Sequence, residues 1–225
     1  MVDFHAHILP KADHGSRKLE TSIEQLKQAE SVGIRKIVTT PHFYLQHHSV
    51  EEFLLRRDYC YQILSKENPT SISLVKAAEV TLASELAEIP RLEELCVEGT
   101  PFILLELPNN SGASWIYDAI YKIEANRGLK PIIAHIDRYP EPVQQELLDM
   151  GITIQVNTEV FASFFKRKKY LKWFQTGVAH LLGSDVHGAD GGHYKTFYKA
   201  CQLLKREIPD IKQNASNILQ GTPMV

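Results

Sequence analysis

Short apolar stretches rich in β-branched residues recur along the chain, at 2–4, 36–39, 73–77, 102–105, 131–134, 152–156 and 179–182. Each has the length of a buried strand and is too short for a helix. Between and after them, apolar residues return every three or four positions, at 19–32, 51–66, 83–95, 116–126, 142–150, 166–176 and 195–207, which predicts amphipathic helices. A parallel neighbour in a sheet is reached only by crossing back over it, so this alternation predicts parallel strands joined by helices. Seven such units predict an α/β barrel. A doubly wound open sheet is the structural alternative, because periodicity does not report closure. The first strand-to-helix connection has no GxGxxG, so a dinucleotide site has no support.

No Gly/Ser linker, charge block or repeat divides the sequence, so a single domain over residues 1–225 is expected. Hydrophobic residues make up 44% and charged residues 23%, which suits a globular chain and excludes a disordered one. Lys+Arg 25 against Asp+Glu 27 leaves a net charge of -2, so no global basic field is available for a nucleic-acid backbone. Cys60, Cys96 and Cys201 are odd in number, widely spaced and form no CxxC, which reads as reduced, packed thiols. Apolar runs stay far below the ~20 residues of a bilayer span. Asp3, His5 and His7 interrupt the positions a signal peptide would need, and a cytoplasmic protein is expected.

The informative pattern is what ends each strand. His5 and His7, two apart on the first strand, share one face, as two ligands of one ion should. The second strand leads to His42, the third to Glu79, the fourth to Glu106, the fifth to His135, and the seventh to Asp185 and His187. The sixth, ending near Asn157, offers no obvious ligand. Parallel barrel strands direct their C-terminal ends to one face, so these residues should converge in one pocket. Imidazoles mixed with carboxylates suit borderline divalent ions such as Mn, Fe or Zn, and the donors are too many for one ion; two or three are expected.

Asp3-Phe4-His5-Ala6-His7-Ile8-Leu9-Pro10, Thr40-Pro41-His42, Ala78-Glu79, Leu105-Glu106, Ala134-His135-Ile136-Asp137-Arg138-Tyr139 and Ser184-Asp185-Val186-His187 resemble the PHP (polymerase and histidinol phosphatase) superfamily. Within it they most resemble the bacterial manganese-dependent tyrosine-protein phosphatases of capsule and exopolysaccharide loci. The likeness runs from residue 1 to about 190, with a weaker tail at Asn214-Ala215-Ser216-Asn217-Ile218 that is similar to the family's last helix. The resemblance implies a distorted seven-stranded (β/α) TIM-like barrel (PHP fold), a trinuclear site favouring Mn, and a substrate that is phosphotyrosine on the tail of a bacterial tyrosine kinase. It implies that His5, His7, Glu79 and Asp185 hold one ion, that Glu79 bridges to a second with Glu106 and His135, and that His42, His187 and the residue at position 14 hold the third. Two departures stand out. Position 14 is His14 where the family has an aspartate, which removes a negative charge, with Asp13 as the alternative donor. After Asp190-Gly191 the family presents an arginine where this chain has Gly192-His193.

The implied reaction is hydrolysis of a phosphate monoester, with Arg138 as the planar cation for phosphate oxygens. A phenolate of pKa about 10 leaves with little protonic help, so a general acid is helpful rather than obligatory, and Asp137 and His193 are the candidates. Other features have plainer readings. His47 and His48 fit a solvated loop, His180 a core histidine, and Phe161, Phe164 and Phe165 packing residues. The run Lys166-Arg167-Lys168-Lys169 fits a solvated helix face able to attract an acidic phosphopeptide, and Trp115 is placed near the pocket mouth. A small-molecule phosphatase such as histidinol phosphatase is the nearest competing function. A metal-binding regulatory module is the competitor from another class. An amidohydrolase is disfavoured, because Glu79 and Glu106 stand where that family expects a bridging lysine. Self-association is left open.

Overall fold

Parallel pairing governs the architecture of the computed structural model, which describes residues 1–189 and 192–222. The first half contains β1 (Val2–His7), α1 (Leu19–Ser31), β2 (Lys36–Thr39), β3 (His42–Phe43), α2 (Val50–Glu67), β4 (Ser73–Lys76), β5 (Glu79–Thr81) and β6 (Phe102–Glu106). The second contains α3 (Trp115–Arg127), β7 (Lys130–Ile133), α4 (Glu141–Asp149), β8 (Thr153–Asn157), α5 (Phe164–Gln175), β9 (Leu181–Gly183), β10 (Val186–His187), α6 (Gly192–Leu203) and α7 (Ile208–Leu219). One sheet has the order β10-β1-β2-β4 and the other β3-β5-β6-β7-β8-β9. All strand pairings among the described residues are parallel.

The expectation of seven strands is met only in part: the described residues form ten short ones, because three of the anticipated segments resume as a second short strand beyond a break. Pro41, which has no N–H to give a ladder, separates β2 from β3. Ala77 and Ala78 separate β4 from β5, and Asp185, at φ 50, separates β9 from β10. The first two breaks stay in step. Thr39 lies opposite Lys76 and His42 opposite Glu79, so the same offset holds on both sides of the interruption.

A second correction concerns residues 83–95, expected as a helix. Two 3-10 turns form instead, Leu86–Glu88 and Leu92–Leu95, because Pro90 falls between them and Ile89 before it is held extended. Elsewhere helix boundaries follow local chemistry: Ser49 and Glu52 form a reciprocal capping box at the start of α2.

Alternate strand residues feed two buried apolar groups. Ile37, Ile103, Leu105, Ile133, Ile154 and Leu182 pack toward the helices, whereas Phe4, Val38, Leu104, Ile132 and Leu181 form a smaller group with Ala215 and Ile218 of α7. β1 carries a register shift between Asp3 and Ala6. Such a bulge re-aims side chains, and it lies where the strand changes from the apolar Phe4 to the polar pair His5 and His7. Among the described residues no helix is long and apolar enough to cross a membrane.

Candidate metal centre

The C-terminal ends of the strands bring His5, His7, His42, Glu79, Glu106, His135, Asp185 and His187 together. His5 Nε2 and His7 Nε2 are 3.1 Å apart, and each faces Glu79 Oε2, at 3.2 and 3.1 Å. Asp185 Oδ1 lies 3.6 Å from His5 Nε2 and 3.4 Å from His7 Nε2. Two donors roughly 2.1 Å from one ion, in tetrahedral or octahedral geometry, sit about 3.0–3.4 Å from each other, so this quartet has the spacing of a coordination shell.

Glu79 is the hub. Its Oε1 lies 2.8 Å from His135 Nε2, while its Oε2 faces His42 Nδ1 at 3.0 Å as well as His5 and His7. Glu106 completes a second grouping, with Oε1 at 3.5 Å from His135 Nε2 and Oε2 at 3.8 Å from His42 Nδ1. His7, His42 and His187 form a third set with converging ligand atoms. His42 thus reaches toward both the carboxylate pair and His187, a wider role than the third-ion position the sequence suggested. Three polar atoms in this cluster, Glu79 Oε2, His42 Nδ1 and His187 Nε2, are buried without a hydrogen bond. Orphaned buried donors and acceptors are costly in a folded protein, and divalent cations would satisfy all three. The residues present fit the metals.

Electrostatics points the same way. Burial alone would push the Glu79 carboxyl up, but His5, His135 and His7 around it hold it well below the usual carboxylate range. Burial disfavours a charged His135, yet Glu106 and Glu79 raise it to about 9. For His42 burial prevails, assisted by His7, and lowers it to about 4. Buried carboxylates sharing donors with imidazoles attract either protons or a cation.

Two ligand candidates have strained backbones: His135 at φ 31 and Asp185 at φ 50 lie in the left-handed region, which costs an L-residue on the order of 1–3 kcal/mol. A hydrogen-bond frame over-determines them. Gln155 Oε1 accepts from the His135 amide at 2.7 Å and meets His5 Nδ1 at 3.2 Å. Gln155 Nε2 donates to Asn157 Oδ1 at 2.9 Å, and Asn157 Nδ2 donates to Asp185 Oδ2 at 3.1 Å. The Asp185 amide donates to His5 O at 2.8 Å, and the Ser184 amide to Asp3 Oδ1 at 2.8 Å. Tyr139 Oη accepts from the Leu107 amide at 2.9 Å and lies 3.3 Å from His135 Nδ1.

Gln155, Asn157, Tyr139 and Asp3 were missed as site residues by sequence reasoning. β8 provides ordering rather than ligands. Its signal was present: Thr153, Gln155 and Asn157 alternate with Ile154 and Val156 yet are all buried, a polar row inside an apolar strand.

The two departures at positions 13–14 and 192–193 receive different accounts. Asp13 is committed elsewhere, with Oδ2 at 2.6 Å from His7 Nδ1 and 3.1 Å from the His42 amide, and Oδ1 at 2.9 Å from the Gly15 amide. It orients His7, and its carboxyl is held well below the ordinary range: burial opposes this, but the His7 contact prevails. Gly15 is required, since a Cβ there would collide with the Cβ of His7. His14 is exposed and stacks on His42, ring centroids 4.9 Å apart and planes nearly parallel, and tilts against His187 at 4.8 Å. Asp190 and Gly191 lie outside the described residues. Gly192 opens α6, and His193 Nδ1 comes within 3.7 Å of Glu159 Oε1.

Arg138, half-exposed, bonds Asp185 Oδ2 at the edge of the cluster. Asp137 Oδ1 accepts from the Asn157 amide at 2.8 Å, and burial pushes its carboxyl up; this contact clamps β8 and gives the residue a structural task beside the catalytic one expected of it. His47 is exposed, its ring against Tyr44, and His48 Nε2 meets Arg56 at 3.2 Å. His180 Nδ1 accepts from the Ile154 amide at 3.0 Å, in keeping with a satisfied structural histidine. The packing expectation holds for Phe161, which is fully buried, and fails for Phe164 and Phe165, which are 70% and 90% exposed. The reason is that α5 turns Tyr170 and Phe174 inward, leaving its first turn at the surface.

The family model described as "Capsular polysaccharide synthesis, CpsB/CapC" matches residues 1–220. A tyrosine-protein phosphatase YwqE of Bacillus subtilis is 26% identical over 219 residues, covering 92% of this chain and 85% of the relative. A tyrosine-protein phosphatase CpsB of Streptococcus pneumoniae is 27% identical over 210 residues, covering 84% of each. Among solved structures, a chain from the work on YwqE of B. subtilis and CpsB of S. pneumoniae, described there as metal-dependent tyrosine phosphatases, superposes with TM-score 0.82 at 22% identity, covering 100% of this chain and 96% of that one. At that identity the likeness concerns the fold.

Proposed function

Because the chain belongs to the CpsB/CapC family of capsular polysaccharide synthesis proteins, we propose that it is a metal-dependent phosphomonoesterase acting on phosphotyrosine in proteins. The observation that carries this reading is the convergence of five buried or half-buried imidazoles and three carboxylates on orphaned donor atoms, with the Arg138 guanidinium at the edge. We read the ten strands as one distorted seven-stranded barrel, each broken pair counted once, in a single domain over residues 1–225.

His5, His7, Glu79 and Asp185 would hold one ion, Glu79, Glu106 and His135 a second, and His42 and His187 with His14 a third, manganese being the favoured metal and iron or zinc alternatives. Bound divalent ions supply Lewis acidity and lower the pKa of water from 15.7 to about 7. The chain's own residues do the rest. Arg138 offers a planar fork to the phosphate oxygens, where charge accumulates in phosphoryl transfer. Asp13, Gln155, Asn157 and Tyr139 fix the rings and carboxylates that must keep their places. His193, six residues beyond His187, is the candidate proton donor to the departing phenolate. The substrate in this reading is the phosphorylated tail of a bacterial tyrosine kinase, met in the cytoplasm.

The test is phosphate release from a phosphotyrosine peptide and from histidinol phosphate, with protein stripped of metal and refilled with Mn, Fe or Zn. Metal-dependent release from the peptide, lost in His135→Ala, is expected. Release from histidinol phosphate alone would reassign the substrate, and no release from either ester with any metal would overturn the phosphatase reading.

A further inference from the structure

Helix α5 carries Lys166, Arg167, Lys168, Lys169 and Lys172 and no acidic residue within its twelve positions, in a chain whose net charge is -2. Lys169 is engaged, its Nζ at 2.9 Å from Glu141 Oε1 and 2.8 Å from Gln144 Oε1. Among the described residues no carboxylate pairs with Lys166, Arg167, Lys168 or Lys172. Phe164, Arg167, Lys168, Leu171, Lys172 and Gln175 line one shallow groove along the helix. Their spacing of three and four makes this a single face. At its start Phe164 and Phe165 stand exposed edge to face, with the Arg167 guanidinium 4.6 Å from the Phe164 ring centre.

The face follows the metal cluster closely along the chain. Asn157, which bonds Asp185, is the last residue of β8, and Phe164 follows seven residues later, across the 3-10 turn Thr158–Ala162. Seven residues reach at most roughly 23 Å, so about seven extended residues beyond a phosphotyrosine at the cluster suffice to reach the start of α5. α5 is also tied to the arginine side of the site, since Glu141, the partner of Lys169, lies three residues after Arg138.

We propose that α5 is a docking surface for an acidic, extended segment flanking the phosphorylated tyrosine, with Phe164 and Phe165 contacting side chains nearest the site. This rests on the phosphatase reading above and adds to it a determinant of substrate choice. Charge complementarity favours an acidic occupant. A lipid surface is disfavoured because an interfacial helix inserts an apolar face along its length, whereas α5 exposes only Phe164 and Phe165 at one end and packs Tyr170 and Phe174 into the protein.

The test compares two phosphotyrosine peptides identical for two residues on either side of the tyrosine, one continuing with Asp/Glu and one with Ser/Gln, alongside p-nitrophenyl phosphate. The wild type should show a KM for the acidic peptide roughly tenfold below that for the neutral one, shrinking as salt rises. Lys168→Glu/Lys172→Glu should abolish that difference while leaving p-nitrophenyl phosphate turnover and the neutral peptide unchanged. Equal KM values in the wild type, or an unaltered preference in the variant, would overturn the proposal. If the wild type hydrolyses none of the three, the phosphatase reading fails, and fluorescence anisotropy of the unphosphorylated acidic peptide then tests docking separately: binding lost in the variant supports it, absence of binding overturns it. Sedimentation with phosphatidylglycerol vesicles that the variant abolishes, without peptide discrimination, would likewise overturn it in favour of lipid.

Discussion

The guanidinium of Arg138 bonds Oδ2 of Asp185, while Oδ1 of the same carboxylate faces His5 and His7. One aspartate therefore joins the edge of the site to its buried floor. Its backbone is held at φ 50, so the fold sets the direction in which its Cβ leaves the chain, and the bonds to Arg138 and Asn157 hold the carboxylate.

Arg138→Ala is expected to lower kcat/KM for a phosphotyrosine peptide by roughly 10²–10³-fold, the usual effect of removing one donor to a charged transition state. Arg138→Lys should recover only part of this, because an ammonium cannot form the two parallel bonds of a guanidinium. Metal content by elemental analysis should match the wild type in both variants. Steady-state kinetics at saturating metal decides the matter, and an Arg138→Ala enzyme of normal kcat/KM would exclude the residue from phosphate recognition.

Gln155→Leu should weaken metal binding by about 10–100-fold, the typical consequence of losing a group that orients a ligand. The substitution also leaves the buried His135 amide without its acceptor, which costs on the order of 1–3 kcal/mol. Titration calorimetry with Mn and urea unfolding of the metal-free protein separate the two effects.

Gly183 approaches the site so closely that a Cβ there would lie 2.6 Å from both His5 Cβ and Gln155 Nε2. Gly183→Ala is expected to displace His5, reduce metal content and destabilise the chain by about 1–3 kcal/mol through overpacking. A variant with full metal content and an unchanged Tm would show that the strand yields there.

His14→Ala should affect one ion only. The ring is exposed and stacked on His42, whereas the other donors are buried or nearly so. Metal stoichiometry by elemental analysis should fall by at most one ion per chain, while His42→Ala, which removes a donor facing two groupings, should cost more. Loss of all metal on removing His14 would contradict this order.

His180 provides an acid-sensitive element away from the ligands. Its pKa is lowered by burial, so the folded state prefers the neutral ring whose Nδ1 accepts from the Ile154 amide. The stabilising contribution is present above the unfolded value of about 6.5 and is lost as pH falls below it toward the lowered folded value. His180→Gln, which keeps an acceptor but does not titrate, should flatten the decline in urea midpoint between pH 7 and 5 relative to wild type.

The candidate cluster was legible because six of the seven expected strand ends carry a His, Asp or Glu, and parallel topology sends all such ends to one side. The frame around it was less so. Gln155 and Asn157 have no special chemistry as residue types; their importance comes from being buried opposite His5, His135 and Asp185, which depends on which strands are neighbours. Asp13 and His14 show the same limit. Both types bind metals, and only the loop's path turned the carboxylate toward His7 Nδ1 and the imidazole outward onto His42. The aromatic spacing of Phe161, Phe164 and Phe165 suggested packing, but a 3-10 turn ending at Ala162 separates the first from the other two and turns those to solvent.

The sequence by itself determined the alternation of elements, the parallel strand pairing and which chemically distinctive residues stand at the strand ends, because hydrophobic period and residue chemistry are local properties. Only the tertiary structure decided where strands break, which hydrogen bonds hold His135 and Asp185 in left-handed backbone, and which face of α5 is left exposed. Those depend on contacts between residues as far apart as Asp3 and Ser184, which no local pattern encodes.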